Sequence, residues 1–161
     1  MKILIVEDEW KTLKGLSNLI AELGGEYEIA GQARSGEEGI RMAMELRPDI
    51  IITDIRMNGM TGLEMMKALN EEKLACRYII LSGYAEFQYA KEAISLGSMD
   101  YLLKPITKEI LEESLRKVRT AIEEEAQNIR TSSMDMEQIL ERALFMQGFS
   151  GSKFEAEWKK R

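Results

Sequence analysis

Asp49-Ile50-Ile51-Ile52-Thr53-Asp54-Ile55-Arg56-Met57 is the stretch that decides the fold. Pro48, just ahead of it, ends the preceding helix, because proline has no N–H to give and disfavours a helical residue before it. Ile50 to Ile52 is an unbroken β-branched run, the pattern of a strand buried on both faces. The run stops at a carboxylate, Asp54, and the chain then turns through Asn58 and Gly59. A carboxylate at the C-terminal end of a central parallel strand lies where open α/β sheets bind their ligands.

Three further runs end in the same way. Lys2-Ile3-Leu4-Ile5-Val6 leads into Glu7-Asp8-Glu9, Tyr78-Ile79-Ile80-Leu81 into Ser82-Gly83, and Tyr101-Leu102-Leu103 into Lys104-Pro105. Parallel neighbours would bring these ends to one edge, with several acids, one hydroxyl and one ammonium around a single point. That inventory suits a divalent cation and a phosphoryl group. Hard oxygen ligands hold Mg²⁺, and a lysine serves phosphate as a point charge.

Helical segments fill the intervals. Trp10 to Leu23 places Leu13, Leu16, Leu19, Ile20 and Leu23 on one face, and Gly24-Gly25 stops it. Tyr27 to Ala33 reads as a strand. Ser35 with Glu38 and Thr61 with Glu64 have capping-box spacing and open the next two helices. Leu63, Met66, Ala68 and Leu69 point inward on the second of these. A helix from about Ala85 to Leu96 ends at Gly97, Met99 to Leu103 is the fifth strand, and Thr107 opens a last helix with Ile110, Leu111, Leu115, Val118 and Ile122 inward. The order βαβαβαβαβα implies parallel crossovers. The handedness rule then leaves a flavodoxin-like (βα)5 fold, a doubly wound five-stranded parallel sheet, as the natural topology.

Composition narrows the class. The chain has 161 residues, 45% of them hydrophobic, enough for one domain with a real core and an appendage. Its net charge is -6, with no basic cluster before Lys159-Lys160-Arg161, which argues against direct nucleic-acid binding. No apolar run approaches the roughly 20 residues of a membrane helix. The single Cys76 precludes an internal disulfide and fits a reducing cytoplasm. Histidine is absent, so any imidazole chemistry must come from a partner.

Beyond Glu123-Glu124-Glu125 the character changes. Asn128 to Ser133 reads as a linker, and Met136, Ile139, Leu140, Ala143, Leu144 and Met146 recur at helical spacing until Gly148 and Gly151. This tail is too small to form its own core. The expected division is residues 1–122 as the main domain and 123–161 as a helical tail leading toward an output domain absent from this sequence.

The set Glu7, Asp8, Asp54, Ser82, Tyr101 and Lys104-Pro105, in this order and setting, resembles the receiver domain of two-component response regulators over about residues 1–122. The stretches Leu81 to Phe87 and Asp100 to Pro105 look most like receivers that precede an AraC-type DNA-binding domain. The resemblance implies that Asp54 accepts a phosphoryl group from a sensor histidine kinase. It implies that Glu7 and Asp8, with Asp54 and the carbonyl of Arg56, bind Mg²⁺, and that Lys104 contacts the phosphoryl group across a cis bond to Pro105. Ser82 matches the switch hydroxyl and Tyr101 the aromatic that turns inward on activation. Such a protein is cytoplasmic, touches no membrane, and regulates transcription through its DNA-binding domain. It is a phosphoacceptor switch that catalyses its own phosphotransfer and dephosphorylation, rather than an enzyme acting on a separate substrate.

Two positions depart from the family pattern. Asn58 stands where proline is common and Thr61 where aspartate is, so altered stiffness of that loop is expected. A rival reading, a Mg²⁺-dependent phosphohydrolase, needs a second aspartate two residues past the nucleophile, and Arg56 stands there. The stripe from Leu111, Leu115, Val118 and Ile122 through Ala126 to Ile129 outruns what one domain needs. It suggests a helix seam between two copies on phosphorylation, with residues 134–146 as a second helix packed on the seam or on the receiver.

Overall fold

The structure is a computed structural model that describes residues 1–146, with side chains through residue 141. Its elements alternate strictly: β1 (Lys2–Val6), α1 (Trp10–Glu22), β2 (Glu28–Ala33), α2 (Gly36–Leu46), β3 (Ile50–Asp54), α3 (Gly62–Glu71), β4 (Arg77–Ser82), α4 (Phe87–Ser95), β5 (Asp100–Leu103) and α5 (Lys108–Met146). The five strands are parallel in the order β2-β1-β3-β4-β5, the flavodoxin-like (βα)5 fold expected from the alternation. By contact the chain separates into two compact units, Met1–Val118 and the part from Arg119 onward.

Both faces of the sheet are covered, as the isoleucine run requires. Leu4, Val6, Ile51, Tyr78 and Ile80 join Ala43, Met65, Met66, Leu69 and Ala93 in one apolar cluster. Ile3, Ile5, Ile50, Ile52, Ile79 and Leu81 alternate to the opposite face and are equally buried. Leu13, Leu16 and Ile20 of α1, with Leu111, Leu115 and Val118 of α5, are the buried apolar helical residues that remain for that side. Leu19 and Leu23 are only half-buried. Met42 and Met44 pack against the first cluster as filler. Cys76 is buried, and burial pushes its thiol above the usual range, so the reactive thiolate is disfavoured.

Register brings the strand ends together. Val6 pairs with Thr53, Asp54 with Leu81, and Ser82 with Leu103. Glu7, Asp54, Ser82 and Lys104 therefore leave the sheet at nearly one level. Asp49 fixes the other edge: its carboxylate accepts from the Lys2 amide at 2.8 Å, and its own amide donates to the Lys2 carbonyl.

The two helices with capping-box spacing start at their caps, one of them with an altered box. Thr61 and Glu64 form the full reciprocal capping box. Ser35 accepts from the Glu38 amide, but the Glu38 carboxylate reaches the amide of Arg34 rather than that of Ser35, so this box closes one residue early. The helix expected from Ala85 begins at Phe87. Ile110, expected inward, is 40% exposed, because the buried stripe of α5 runs through Leu111, Leu115 and Val118.

The largest correction concerns the tail. Asn128 to Ser133 is no linker; it lies inside α5, and residues 134–146 continue that helix rather than forming a second one. The physical reason is local. The run contains no glycine or proline, and two of its three hydroxyls bond back within the helix: Thr131 donates to the Gln127 carbonyl and Ser133 to that of Ile129. The side chains of residues 123–141 are exposed, including Ile129, Met134, Met136, Ile139 and Leu140. The expected stop at Gly148 and Gly151, the basic Lys159-Lys160-Arg161, and the side chains of Ala143, Leu144 and Met146 lie outside the described residues. Among the described residues no helix is long and apolar enough to cross a membrane.

Candidate functional site

Three carboxylates meet at the carboxyl edge of the sheet. Glu7, at the end of β1, is fully buried, Asp54, at the end of β3, nearly so, and Asp8 half-buried. One oxygen of each lies within 4.8 Å of the others. Lys104, just past β5, reaches two of them, with Nζ 2.9 Å from Glu7 Oε2 and 3.0 Å from Asp54 Oδ2. The bond from Lys104 to Pro105 is cis.

Backbone amides hold three more of the carboxylate oxygens. Glu7 Oε1 accepts from the Glu9 amide at 3.0 Å, and Asp54 Oδ1 from the Ile55 amide at 2.8 Å. Asp8 Oδ2 accepts from the Asn58 amide at 3.2 Å. Proline at position 58 has no N–H and would lose that bond. The departure at Asn58 thus ties the loop after β3 to Asp8. Arg34, at the end of β2, donates to the Asp8 carbonyl at 3.0 Å.

The electrostatics follow from burial and pairing. Desolvation raises the Glu7 carboxyl above its ordinary value; the bonds from Lys104 and the Glu9 amide oppose this, and the nearby Asp54 charge adds to it. For Lys104, desolvation acts to lower the ammonium, but the bonds and charges of Glu7 and Asp54 outweigh it, and the net shift is upward. Lys104 therefore stays charged, while three clustered acids share one cation. An all-oxygen donor set with a surplus of negative charge fits a small hard divalent ion.

Ser82 and Tyr101 lie on the same side of the sheet edge, and both are bonded to Tyr84. Ser82 Oγ donates to the Tyr84 carbonyl at 3.0 Å and accepts from its amide at 3.1 Å. The Tyr101 hydroxyl donates to the same carbonyl at 3.2 Å. Tyr84 in turn stacks on Arg56, whose Cζ is 4.2 Å from the ring centroid, and Tyr89 lies on Arg56 at 5.5 Å. Arg56 also ion-pairs with Glu86. The sequence reading gathered the acids, the Ser82 hydroxyl and Lys104 around one point; Glu7, Asp8, Asp54 and Lys104 meet there, while Ser82 Oγ is bonded to Tyr84. It missed Arg34, Glu86 and Tyr89 and, for Asn58, the bond of its backbone amide to Asp8. Arg34 carried a signal as the residue leaving β2, and Asn58 as the departure from the family pattern.

Five parallel strands in this order, with acids and one ammonium at their carboxyl ends, define a receiver-like α/β domain. The chain matches the response regulator receiver domain over residues 3–116 and belongs to that family. It is 37% identical over 117 residues to the transcriptional regulatory protein YesN of Bacillus subtilis, covering 73% of this chain and 32% of YesN. It is 43% identical over 110 residues to the transcriptional regulatory protein YdfI of Bacillus subtilis, covering 68% of this chain and 51% of YdfI. Among solved structures it is similar to the REC domain of AraT, a response regulator from Geobacillus stearothermophilus, with 38% identity, a TM-score of 0.70, and coverage of 78% of this chain and 97% of that one. The chain thus spans about a third of YesN and about half of YdfI.

Proposed function

We propose that this receiver is a phosphorylation-activated switch: a sensor histidine kinase supplies a phosphoryl group to Asp54, and the change passes to transcription through a DNA-binding domain of the AraC type. The observation that supports it most is Lys104 Nζ, within 3.0 Å of both Glu7 and Asp54 at the focus of three carboxylates. Glu7, Asp8 and Asp54, with the carbonyl of Arg56, would hold Mg²⁺, which supplies positive charge against the carboxylates and the phosphoryl oxygens. Asp54, Lys104 and Ser82 form the catalytic set.

A carboxylate oxygen of Asp54 attacks phosphorus, and the new O–P bond forms as the bond from phosphorus to the donor's leaving atom breaks. Asp54 is held for this by the Ile55 amide, and reactivity comes mostly from that placement. Lys104 neutralises charge gathering on the phosphoryl oxygens. To donate to them, Ser82 must release the Tyr84 carbonyl, the same acceptor that holds the Tyr101 hydroxyl. Loss of that anchor lets Tyr101 turn inward, so a local charge event biases a two-state element. The chain is its own substrate in both phosphotransfer and dephosphorylation. Residues 1–122 form the receiver and 123–161 the tail toward the output domain. The protein works in the cytoplasm, and the residues of this chain make no direct contact with nucleic acid, which falls to the output domain. Incubation with acetyl phosphate and Mg²⁺, read by intact mass, is the test; a chain that never gains a phosphoryl group defeats the reading.

Arg56 and Tyr84 follow Asp54 and Ser82 by two residues and stack on one another. Each is large enough at its position to hinder an attacking water, so the phosphoaspartate hydrolyses slowly. Arg56→Ala combined with Tyr84→Ala is expected to shorten its lifetime, followed by loss of the phosphoryl mass with time. An equal or longer lifetime in the double variant refutes shielding.

The exposed apolar residues of α5 beyond Arg119 supply a seam for a second copy. Sedimentation is expected to show a monomer or weak dimer that becomes more dimeric on phosphorylation, and a truncation after Ile122 that does not respond. Equal self-association of both proteins in both states leaves the helix a tether only.

A further inference from the structure

We propose that Arg56 is a charge-operated latch: it holds the segment Tyr84 to Tyr89 through Glu86 while Asp54 is unmodified, and a phosphoryl group on Asp54 draws it away. The latch rests on the proposed role of Asp54, and adds to the switch pair a second, electrostatic line of control over α4.

The loop between β4 and α4 is held from outside at two places. Ser82 and Tyr101 hold the backbone of Tyr84. Arg56 holds the rest: its guanidinium lies against the rings of Tyr84 and Tyr89 and pairs with the carboxylate of Glu86. Glu86 is the N-cap residue of α4, and its side chain makes no capping bond to the helix, so its carboxylate is given over to Arg56. The helix it precedes has nine residues, of which only Ala93 is fully buried. An element with so little buried surface opens at low cost, and outside ties decide where it sits.

The tie is built to be outcompeted. The Arg56 and Glu86 side chains are 49% and 42% exposed, and water screens such a pair. Arg56 is two residues past Asp54, in the loop that leaves the end of β3. A phosphoryl group there brings about two negative charges and three acceptor oxygens, matched to the planar fork of arginine. Glu86 offers one carboxylate. The guanidinium moves to the stronger anion, Glu86 and the two tyrosines lose their partner, and the start of α4 is freed as Ser82 lets go of Tyr84.

Hydrogen exchange of the full chain, with the intact mass of each sample, tests this. Before phosphorylation, Glu86→Gln is expected to exchange the amides of residues 84–92 about fivefold faster than wild type, the equilibrium weight of an exposed ion pair. Acetyl phosphate with Mg²⁺ then raises wild type at least to that level, and raises the variant by a smaller factor, since only the Ser82 tie to Tyr84 is left to release. Glu86→Gln protein indistinguishable from wild type before phosphorylation overturns the latch. So does a wild-type sample that is fully phosphorylated by mass with unchanged exchange at 84–92. A mass that never rises overturns the reading of Asp54 and the release step with it, while the unphosphorylated comparison still decides whether Glu86 and Arg56 hold the segment.

Discussion

Asp54→Asn protein, incubated with acetyl phosphate and Mg²⁺, is expected to gain no phosphoryl mass under conditions that fully modify wild type. The amide keeps the size and buried position of the side chain but has no anionic oxygen to attack phosphorus. Folding should survive, because Lys104 keeps its 2.9 Å bond to Glu7 and one of three mutually repelling charges is gone. The loss is thus chemical rather than structural, and an unchanged unfolding curve checks that. Asp8→Asn retains the acceptor but removes one oxygen anion from the cluster. It is expected to need at least about tenfold more Mg²⁺ for half-maximal uptake, in line with the cost of weakening a metal site. Undiminished labelling of Asp54→Asn would place the acceptor elsewhere.

The central architecture was legible because its physics is local. Ile50 to Ile52 cannot sit in a half-exposed strand, so both faces had to be covered, and the helical stripes between the strands supplied the covers. Once the strands are parallel, the residues that follow them share an edge, and Glu7, Asp54 and Lys104 converge for that reason alone. What sequence could not supply was pairing across loops. The bond from the Asn58 amide to Asp8 spans 50 positions and depends on a backbone donor, which side-chain pattern does not reveal. The Arg56 cluster joins two loops through stacking, and nothing in the spacing of Tyr84, Glu86 and Tyr89 marks it.

The tail failed for the opposite reason. Polar composition in Asn128 to Ser133 was read as a break, but composition measures burial, not helicity. A helix whose sides all face water has no need of an apolar stripe in every turn, provided its own hydroxyls return to the backbone, as those of Thr131 and Ser133 do. The break had a real counterpart in burial: Val118 is buried, while the residues from Glu123 to Glu141 are exposed.

Gly62→Ala is expected to be among the most destabilising single-methyl changes available to this chain. The reason is not backbone freedom, since Gly62 opens α3 in ordinary helical geometry. It is proximity: a Cβ at Gly62 would lie 2.1 Å from the carbonyl oxygen of Asp54 and 3.0 Å from Thr53 Oγ1. Neither neighbour can yield easily. The Gly62 amide donates to the Ile55 carbonyl at 2.9 Å, and Thr53 Oγ1 donates to the Asp54 carbonyl at 2.9 Å, so loop, strand and helix start are bonded together at this point. Making room requires α3 to lift from the end of β3 or Asp54 to shift. A cost of about 3 kcal/mol is expected, at the upper end for overpacking, or a fall of about 10 °C in Tm. Gly15→Ala is the control. Gly15 is an exposed residue inside α1 with nothing within 4 Å of the added carbon. It should gain about 0.5–1 kcal/mol from helix propensity. Denaturant unfolding of the two variants should therefore move in opposite directions from wild type. Because the clash falls on the carbonyl of Asp54, the proposed acceptor, Gly62→Ala protein that remains folded should also take up phosphoryl groups more slowly, and Gly15→Ala protein should not. Equal stability of Gly62→Ala and wild type would mean that α3 does not press on Asp54, and that the acceptor is positioned by Lys104 and the Ile55 amide alone.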